Sequence, residues 1–376
     1  MRADLLDLAV RQAFEPPAGR YFLSHSIGLQ PKAAAEAHQG FAEPWRRGDA
    51  AIWDHWLAAI ARFRERLGPL IGATPADICP QTNISSALTK ILFSLPERAR
   101  RRKIVLSEDD FPTVGFVLAQ ARRLGYEVQF LPGGARLADI AAWSPAFQDD
   151  VQFMLATHVF SNTAVKAPIG EIGARARERG VFSVFDIGQS AGALPIDLDA
   201  WRPDFAVGTS VKYLCGGPGA AFLWTKPETA ARCAPMDVGW FSHEAPFEFD
   251  IRDFRYAEGA QRYWGGTPSV APFAVAGAGS ATLSEIGIDA IFAHNQSLLS
   301  RLIDGIPKSA LLSHGEAGER GSSAIVRARD VPAAGRALAD AGIAHDVRSG
   351  GVRVSVHLYT SQDDVDALLK ALTSLV

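Results

Sequence analysis

Between residues 103 and 224 short apolar runs alternate with helical stretches, and this alternation restricts the fold more than any other feature of the chain. Lys103-Ile-Val-Leu106 precedes a helical pattern from Val114 to Arg123, and Val151 to Thr157 precedes another from Ile169 to Arg179. Val181 to Asp186, Asp204 to Gly208 and Ala220 to Trp224 complete the series. Strands separated by helices of this length predict a mostly parallel sheet with helices on its faces. Ligands of such sheets sit beyond the carboxyl ends of the strands, so the residues just after each run are the candidates for function.

The flanks add to this frame. A helix is expected from Pro31, and Ile52, Trp53, Trp56, Ile60 and Phe63 recur at three- and four-residue steps, a second helix whose tryptophans read as core. Past residue 270 a long helical region runs to Ile306, followed by Ser323 to Arg327, a helix from Pro332 to Ala341 and a run ending at Val352-Arg-Val-Ser-Val356. The hydroxyl of Ser361, three residues before Asp364, is placed to cap a last helix. The expected division of the 376 residues is an N-terminal arm, 1–45, a large α/β domain, 46–270, and a smaller α+β domain, 271–376.

Composition narrows the function. A formal net charge of −3, from 38 basic and 41 acidic residues, provides no basic field for a phosphate backbone, so nucleic acid is excluded as a partner. With 48% hydrophobic residues the chain can bury a sizeable core. Cys79, Cys215 and Cys233 are too few and too scattered for a disulfide framework or a zinc knuckle, as expected of a protein in a reducing cytoplasm. Met1 to Gln12 mixes charges into its leucines unlike an export signal, and Thr267 to Ser284 is interrupted by Pro268, Pro272, Gly277 and Gly279, so it reads as a buried helix of small residues and not as a membrane span.

Two strand ends carry the chemistry. Val181-Phe-Ser-Val-Phe-Asp186 ends in an acid and is followed by Ile187-Gly-Gln-Ser-Ala-Gly192. Asp204-Phe-Ala-Val-Gly-Thr-Ser-Val-Lys212 ends in a hydroxyl pair and a lysine, closed by Gly216-Gly-Pro-Gly219. Pyridoxal phosphate needs a lysine amine for its covalent linkage and a carboxylate to keep its pyridine nitrogen protonated, and Lys212 and Asp186 suit those roles.

These segments resemble the class V aminotransferase group of fold-type I pyridoxal-phosphate enzymes, and within it most closely the kynureninases. The likeness continues through Phe111-Pro-Thr113, Gly239-Trp-Phe-Ser-His-Glu-Ala-Pro-Phe247, Gly266-Thr-Pro-Ser269, Arg353 and Leu358-Tyr359, and the opening Ser24-His-Ser-Ile-Gly28 is similar to a motif of that family. It implies the type I transferase fold, a large domain with a mostly parallel seven-stranded-type sheet and a smaller α+β domain. It also implies Lys212 as the cofactor's lysine, Asp186 as partner of its ring nitrogen, Phe111 stacked on its face and Gln189 against its phenolic oxygen. Ser85 and Ser86, opening a helix after Asn83, would bind the phosphate. So would Trp240 and Thr267, which the family draws from a neighbouring subunit, so that a homodimer is implied. His25 and Ser26 fall in the substrate region, and Arg353 matches the arginine that grips the α-carboxylate, with Arg348 as its competitor. The substrate class is an α-amino acid.

Three positions depart from the kynureninase pattern. Val211, Val114 and Gln189 stand where that family has tyrosine, aspartate and histidine, which removes ionisable or hydroxyl groups beside the cofactor. Transamination, β-elimination and side-chain cleavage stay open. With no cysteine after Cys233, a persulfide-forming desulfurase is disfavoured. Rival classes fit less well: Gly277-Ala-Gly279 and Gly217-Pro-Gly219 lack the third glycine of a dinucleotide fingerprint, the histidines show no paired metal spacing, and a non-catalytic binding protein would have no use for Lys212 and Asp186.

Overall fold

The computed structural model describes residues 3–348 and 350–376. Seven strands form the central sheet: β1 (Ile78–Gln81), β2 (Lys103–Ser107), β3 (Glu127–Leu131), β4 (Val151–Thr157), β5 (Phe182–Asp186), β6 (Phe205–Thr209) and β7 (Ala221–Trp224). Their spatial order is β1-β7-β6-β5-β4-β2-β3. All run parallel except β7, which is antiparallel to both β1 and β6. The five apolar runs of the sequence are β2, β4, β5, β6 and β7. The strands outside that pattern, β1 and β3, are the two edges.

Period-two alternation sends neighbouring side chains of a strand to different cores. Phe222 and Trp224 of β7 join Phe63, Phe185 and Phe273 on one face. Leu223 joins Phe153, Phe182, Phe205 and Leu106 on the other. The flanking helices include α1 (Ile52–Ile71), α2 (Ile84–Leu92), α3 (Pro112–Ala119), α4 (Ile169–Glu178) and α5 (Ala271–Ile286). Helix α5 is the small-residue helix expected from the sequence, and it packs tightly on α1: a Cβ on Gly277 would lie 3.3 Å from the Phe63 Cα.

A second, smaller layer follows, with helices α6 (Ile288–Asp304), α7 (Val331–Asp340) and α8 (Gln362–Leu372). Strands β8 (Ser323–Arg327), β9 (Asp346–Arg348) and β10 (Gly351–Ser355) form an antiparallel sheet in the order β9-β10-β8. Ser361 caps α8 with a reciprocal pair, its Oγ accepting from the Asp364 amide at 3.1 Å and the Asp364 carboxylate accepting from the Ser361 amide at 2.9 Å. The first core extends beyond residue 271 to take in Phe273, Ala276, Leu283 and Ile291, and the second begins with Leu298 on the same helix α6. Phe22 of the N-terminal arm is buried in that second core. Among the described residues no helix is long and apolar enough to cross a membrane.

Candidate active site

Strands β5 and β6 lie side by side with Asp186 paired to Val207, so the turns that follow them open on the same side of the sheet. A cavity of about 210 Å³ lies there, lined among others by Asn83, Ser85, Phe111, Asp186, Thr209 and Lys212. The Asp186 Oδ1 accepts from the Gly188 amide at 2.8 Å, and its Oδ2 has no protein donor among the described residues. Burial pushes the Asp186 carboxyl above its ordinary value, opposed by the charge of Lys212 and the Gly188 hydrogen bond. Burial pushes the Lys212 ammonium down, opposed by Asp186 and reinforced by Arg353. No hydrogen bond holds the Lys212 Nζ among the described residues. The Phe111 ring, at the start of α3, lies with its centroid 5.7 Å from that nitrogen.

The lysine is placed by a close backbone approach. The Gly28 amide donates to the Val211 carbonyl at 2.8 Å. A Cβ on Gly28 would stand 2.1 Å from the Lys212 carbonyl oxygen, so only glycine lets the arm pass there. Asn83 caps α2, its Oδ1 accepting from the Ser86 amide at 2.8 Å and from the Ser85 hydroxyl at 2.7 Å. The first turn of α2 therefore presents backbone amides and the Ser85 hydroxyl beside the cavity, with Ser86 lining a neighbouring one, a site suited to a phosphate. An unpartnered lysine amine, an unpartnered carboxylate oxygen, an aromatic face and an anion-binding helix start converge on one space. That donor set fits pyridoxal phosphate.

Other expected residues lie elsewhere. Gln189 is buried and donates from Nε2 to the His25 carbonyl at 3.1 Å. The His25 ring is buried, with Nδ1 2.8 Å from Ser355 Oγ and Nε2 3.2 Å from Asp346 Oδ1, and burial pushes its pKa down to about 4. Ser26 is exposed next to it. Trp240 sits in an aromatic group with Trp53, Phe241, Phe247 and Phe249, away from the Lys212 cavity. Thr267 lines a second cavity of about 250 Å³ with Ser86 and Lys90. Arg353 is 2% exposed, and its fork is engaged by Asp346, Nε to Oδ1 at 2.9 Å and Nη2 to Oδ2 at 2.6 Å. Arg348 is partly exposed and reaches the Asp346 Oδ2 at 3.1 Å.

The sequence profile of the aminotransferase class-V family matches residues 32–368. The chain belongs to the aminotransferase class-V family. A kynureninase of Burkholderia pseudomallei strain 1106a is 32% identical over 297 residues, covering 75% of this chain and 69% of the relative. A kynureninase of Pseudomonas fluorescens is 28% identical over 358 residues, covering 90% and 84%. Among solved structures, a cysteine desulfurase of Thermococcus onnurineus NA1 aligns with a TM-score of 0.85 at 20% identity, over 95% of this chain and 94% of that one. A cystine C–S lyase in complex with its product cysteine persulfide aligns with a TM-score of 0.84 at 21% identity, over 95% and 98%. The type I fold and pyridoxal-phosphate dependence of this class V enzyme follow from its family and its site together.

Two acids of this class V chain escaped the sequence reading. Asp110 is buried beneath the site, accepting from the Thr157 hydroxyl at 2.6 Å and the Ser107 amide at 2.7 Å. Burial raises its carboxyl to about 7 against those hydrogen bonds, and the charge of Asp186 adds to the rise. Asp346 is the other. Its signal was the β9–β10 hairpin, whose register sets residue 346 directly opposite Arg353.

Proposed function

We propose that this chain is a cytoplasmic homodimer that acts on an α-amino acid by one-base chemistry, with Lys212 carrying the proton to and from the reacting carbon. The observation behind this reading is the lining of the Lys212 cavity, whose only ionisable side chains are Lys212 and Asp186. When bound, pyridoxal phosphate supplies an electron sink for the carbanion left as a bond to Cα breaks. Asp186 Oδ2 would accept from the ring nitrogen, the start of α2 with Ser85 and Ser86 would hold the phosphate, and Phe111 would cover one face. Arg353 would bind the α-carboxylate, and Lys212 would take up and return the α-proton at its Nζ.

Transamination and β-elimination both need a single group that moves the α-proton, and this cavity supplies one. Hydrolysis of a side-chain ketone needs further proton carriers, and Val114, which lines the cavity, and Val211, beside Lys212, cannot act as such. Persulfide transfer needs a reachable thiolate. All three cysteines are buried, and burial pushes the Cys79 thiol up to about 12 and raises Cys215 and Cys233 as well. A second reading, hydrolytic cleavage of a kynurenine-type side chain, is favoured by the 32% identity to kynureninase.

Screening amino acids with the holoenzyme separates these outcomes. Turnover that requires an added keto acid is transamination, and keto-acid-independent release of pyruvate and ammonia is elimination. Kynurenine turnover at about 1 s⁻¹ or faster would replace the one-base reading by the second. The homodimer is supported by Trp240 and Thr267, neither of which lines the Lys212 cavity of its own chain, and by Phe247 and Phe249, which stand 54% and 72% exposed beside Trp240.

A further inference from the structure

We propose that Asp346 is a positioning residue for substrate: it clamps one edge of the Arg353 guanidinium so that the N–H left on each terminal nitrogen meets the α-carboxylate. The inference rests on the reading of Arg353 as the carboxylate contact.

A guanidinium has five N–H donors. The Nε–H and one N–H of Nη2 are taken by Asp346, and one N–H of Nη1 goes to the Ser161 carbonyl at 2.9 Å. One donor remains on each terminal nitrogen, two in all for a carboxylate. The clamp is built into the backbone. Asp346 and Arg353 are directly opposed across the antiparallel β9–β10 pair, where facing side chains interact most strongly. The Ser161 carbonyl arrives from the large layer, so the guanidinium is fixed from two sides.

Charge favours the same arrangement. An unpaired guanidinium that is 2% exposed would be costly to bury, and Asp346 supplies its counter-charge. Arg348, at 3.1 Å from the same Asp346 Oδ2 that Arg353 engages, leaves the cluster with one positive charge in excess, since burial keeps the neighbouring His25 neutral. One substrate carboxylate balances that excess. Arg353 also lies close enough to Lys212 for its charge to help lower the lysine's pKa.

The test uses the holoenzyme and two probes, L-alanine and ethylamine, which differ by the carboxylate. Their dissociation constants are read from the change in the bound cofactor's visible absorbance. Asp346→Asn keeps the shape and removes the charge. It is expected to reduce the preference for L-alanine by about tenfold or more while leaving ethylamine unchanged, with partial recovery in Asp346→Glu. A preference that is unchanged or increased in Asp346→Asn would mean that the carboxylate is a spectator or a competitor for the arginine, and overturns the proposal. Equal weakening of both probes overturns it too, since that is the mark of general disruption. Arg353→Met separates the two levels: loss of preference there without loss in Asp346→Asn rejects Asp346 alone. An unchanged preference in Arg353→Met rejects both assignments.

Discussion

Burial acts on Asp186 and Lys212 in opposite senses, raising the acid and lowering the base, and each partly restores the other. Each charge therefore supports the other in a buried setting, and the open Asp186 Oδ2 is left to accept from a cationic N–H. Asp186→Asn retains the acceptor for Gly188 but loses the charge that holds the ring nitrogen protonated. A fall in kcat of about 100-fold or more is expected in a protein that still takes up cofactor, measured by turnover and by the visible spectrum. Lys212, Asp186, Ser85 and Phe111 were legible because each follows a strand or opens a helix in a recognisable order. Asp346 was not, because its role depends on the register of a hairpin and not on any local motif.

Three buried histidines set a second prediction. Burial lowers His25 to about 4, and His158 and His357 to about 3, from an ordinary 6.5. Folded-state values below the unfolded one mean that the unfolded chain takes up protons first as pH falls. Their contribution to stability is complete above pH 6.5 and is lost as pH falls toward 4 and 3. Asp110 has the opposite sign: raised to about 7 from 3.8, its contribution is complete below 3.8 and is lost as pH rises through 7. Asp186 and Asp204, which burial also raises, share that sign and offset the histidines, so the prediction is a comparison: in urea unfolding of the apo chain, His158→Gln should lose less stability between pH 6 and 5 than the unaltered chain, by about 1 kcal/mol per pH unit. An equal loss in both would contradict the neutral burial of this ring.

At the scale of elements, the interior of the sheet was readable and its borders were not. Strands β4 and β5 are buried at every position, so they stand out as continuous apolar runs. Edge strand β1 is four residues long and carries Pro80, which an edge tolerates because one side of the strand has no ladder to complete. Edge strand β3 mixes Glu127 and Gln129 into its apolar residues and is only partly buried. The connection from arm to site gives the prediction at this scale. Gly28→Ala would drive a methyl into the Lys212 carbonyl, at 2.1 Å before relaxation, with the Cys215 Sγ at 2.9 Å beside it. Overpacking of this kind costs about 1–3 kcal/mol. Both the unfolding midpoint and the absorbance of the lysine-bound cofactor should shift, and a wild-type spectrum in this variant would argue that the arm does not set the position of Lys212.

At the scale of the whole molecule, the proposed phosphate residues divide between two cavities of one chain. Ser85 lines the Lys212 cavity, while Ser86 and the exposed Thr267 face the second one. In a two-fold dimer the same patch meets itself, so a residue that points away from its own site can reach its partner's. This allows a complementation test. Lys212→Ala removes the base, and Thr267→Asp places a carboxylate against a phosphate; each variant alone should be nearly inactive. In a mixed dimer one site combines both defects and the other combines the intact lysine of one chain with the intact threonine of its partner. Random co-assembly of equal amounts makes half the dimers mixed, each with one sound site, so about a quarter of wild-type activity should return. If Thr267 served its own chain's site, every site in the mixture would carry one defect and no activity would return. Recovery would therefore locate the hydroxyl in the partner's site as well as establish the dimer, which a measurement of mass alone cannot do.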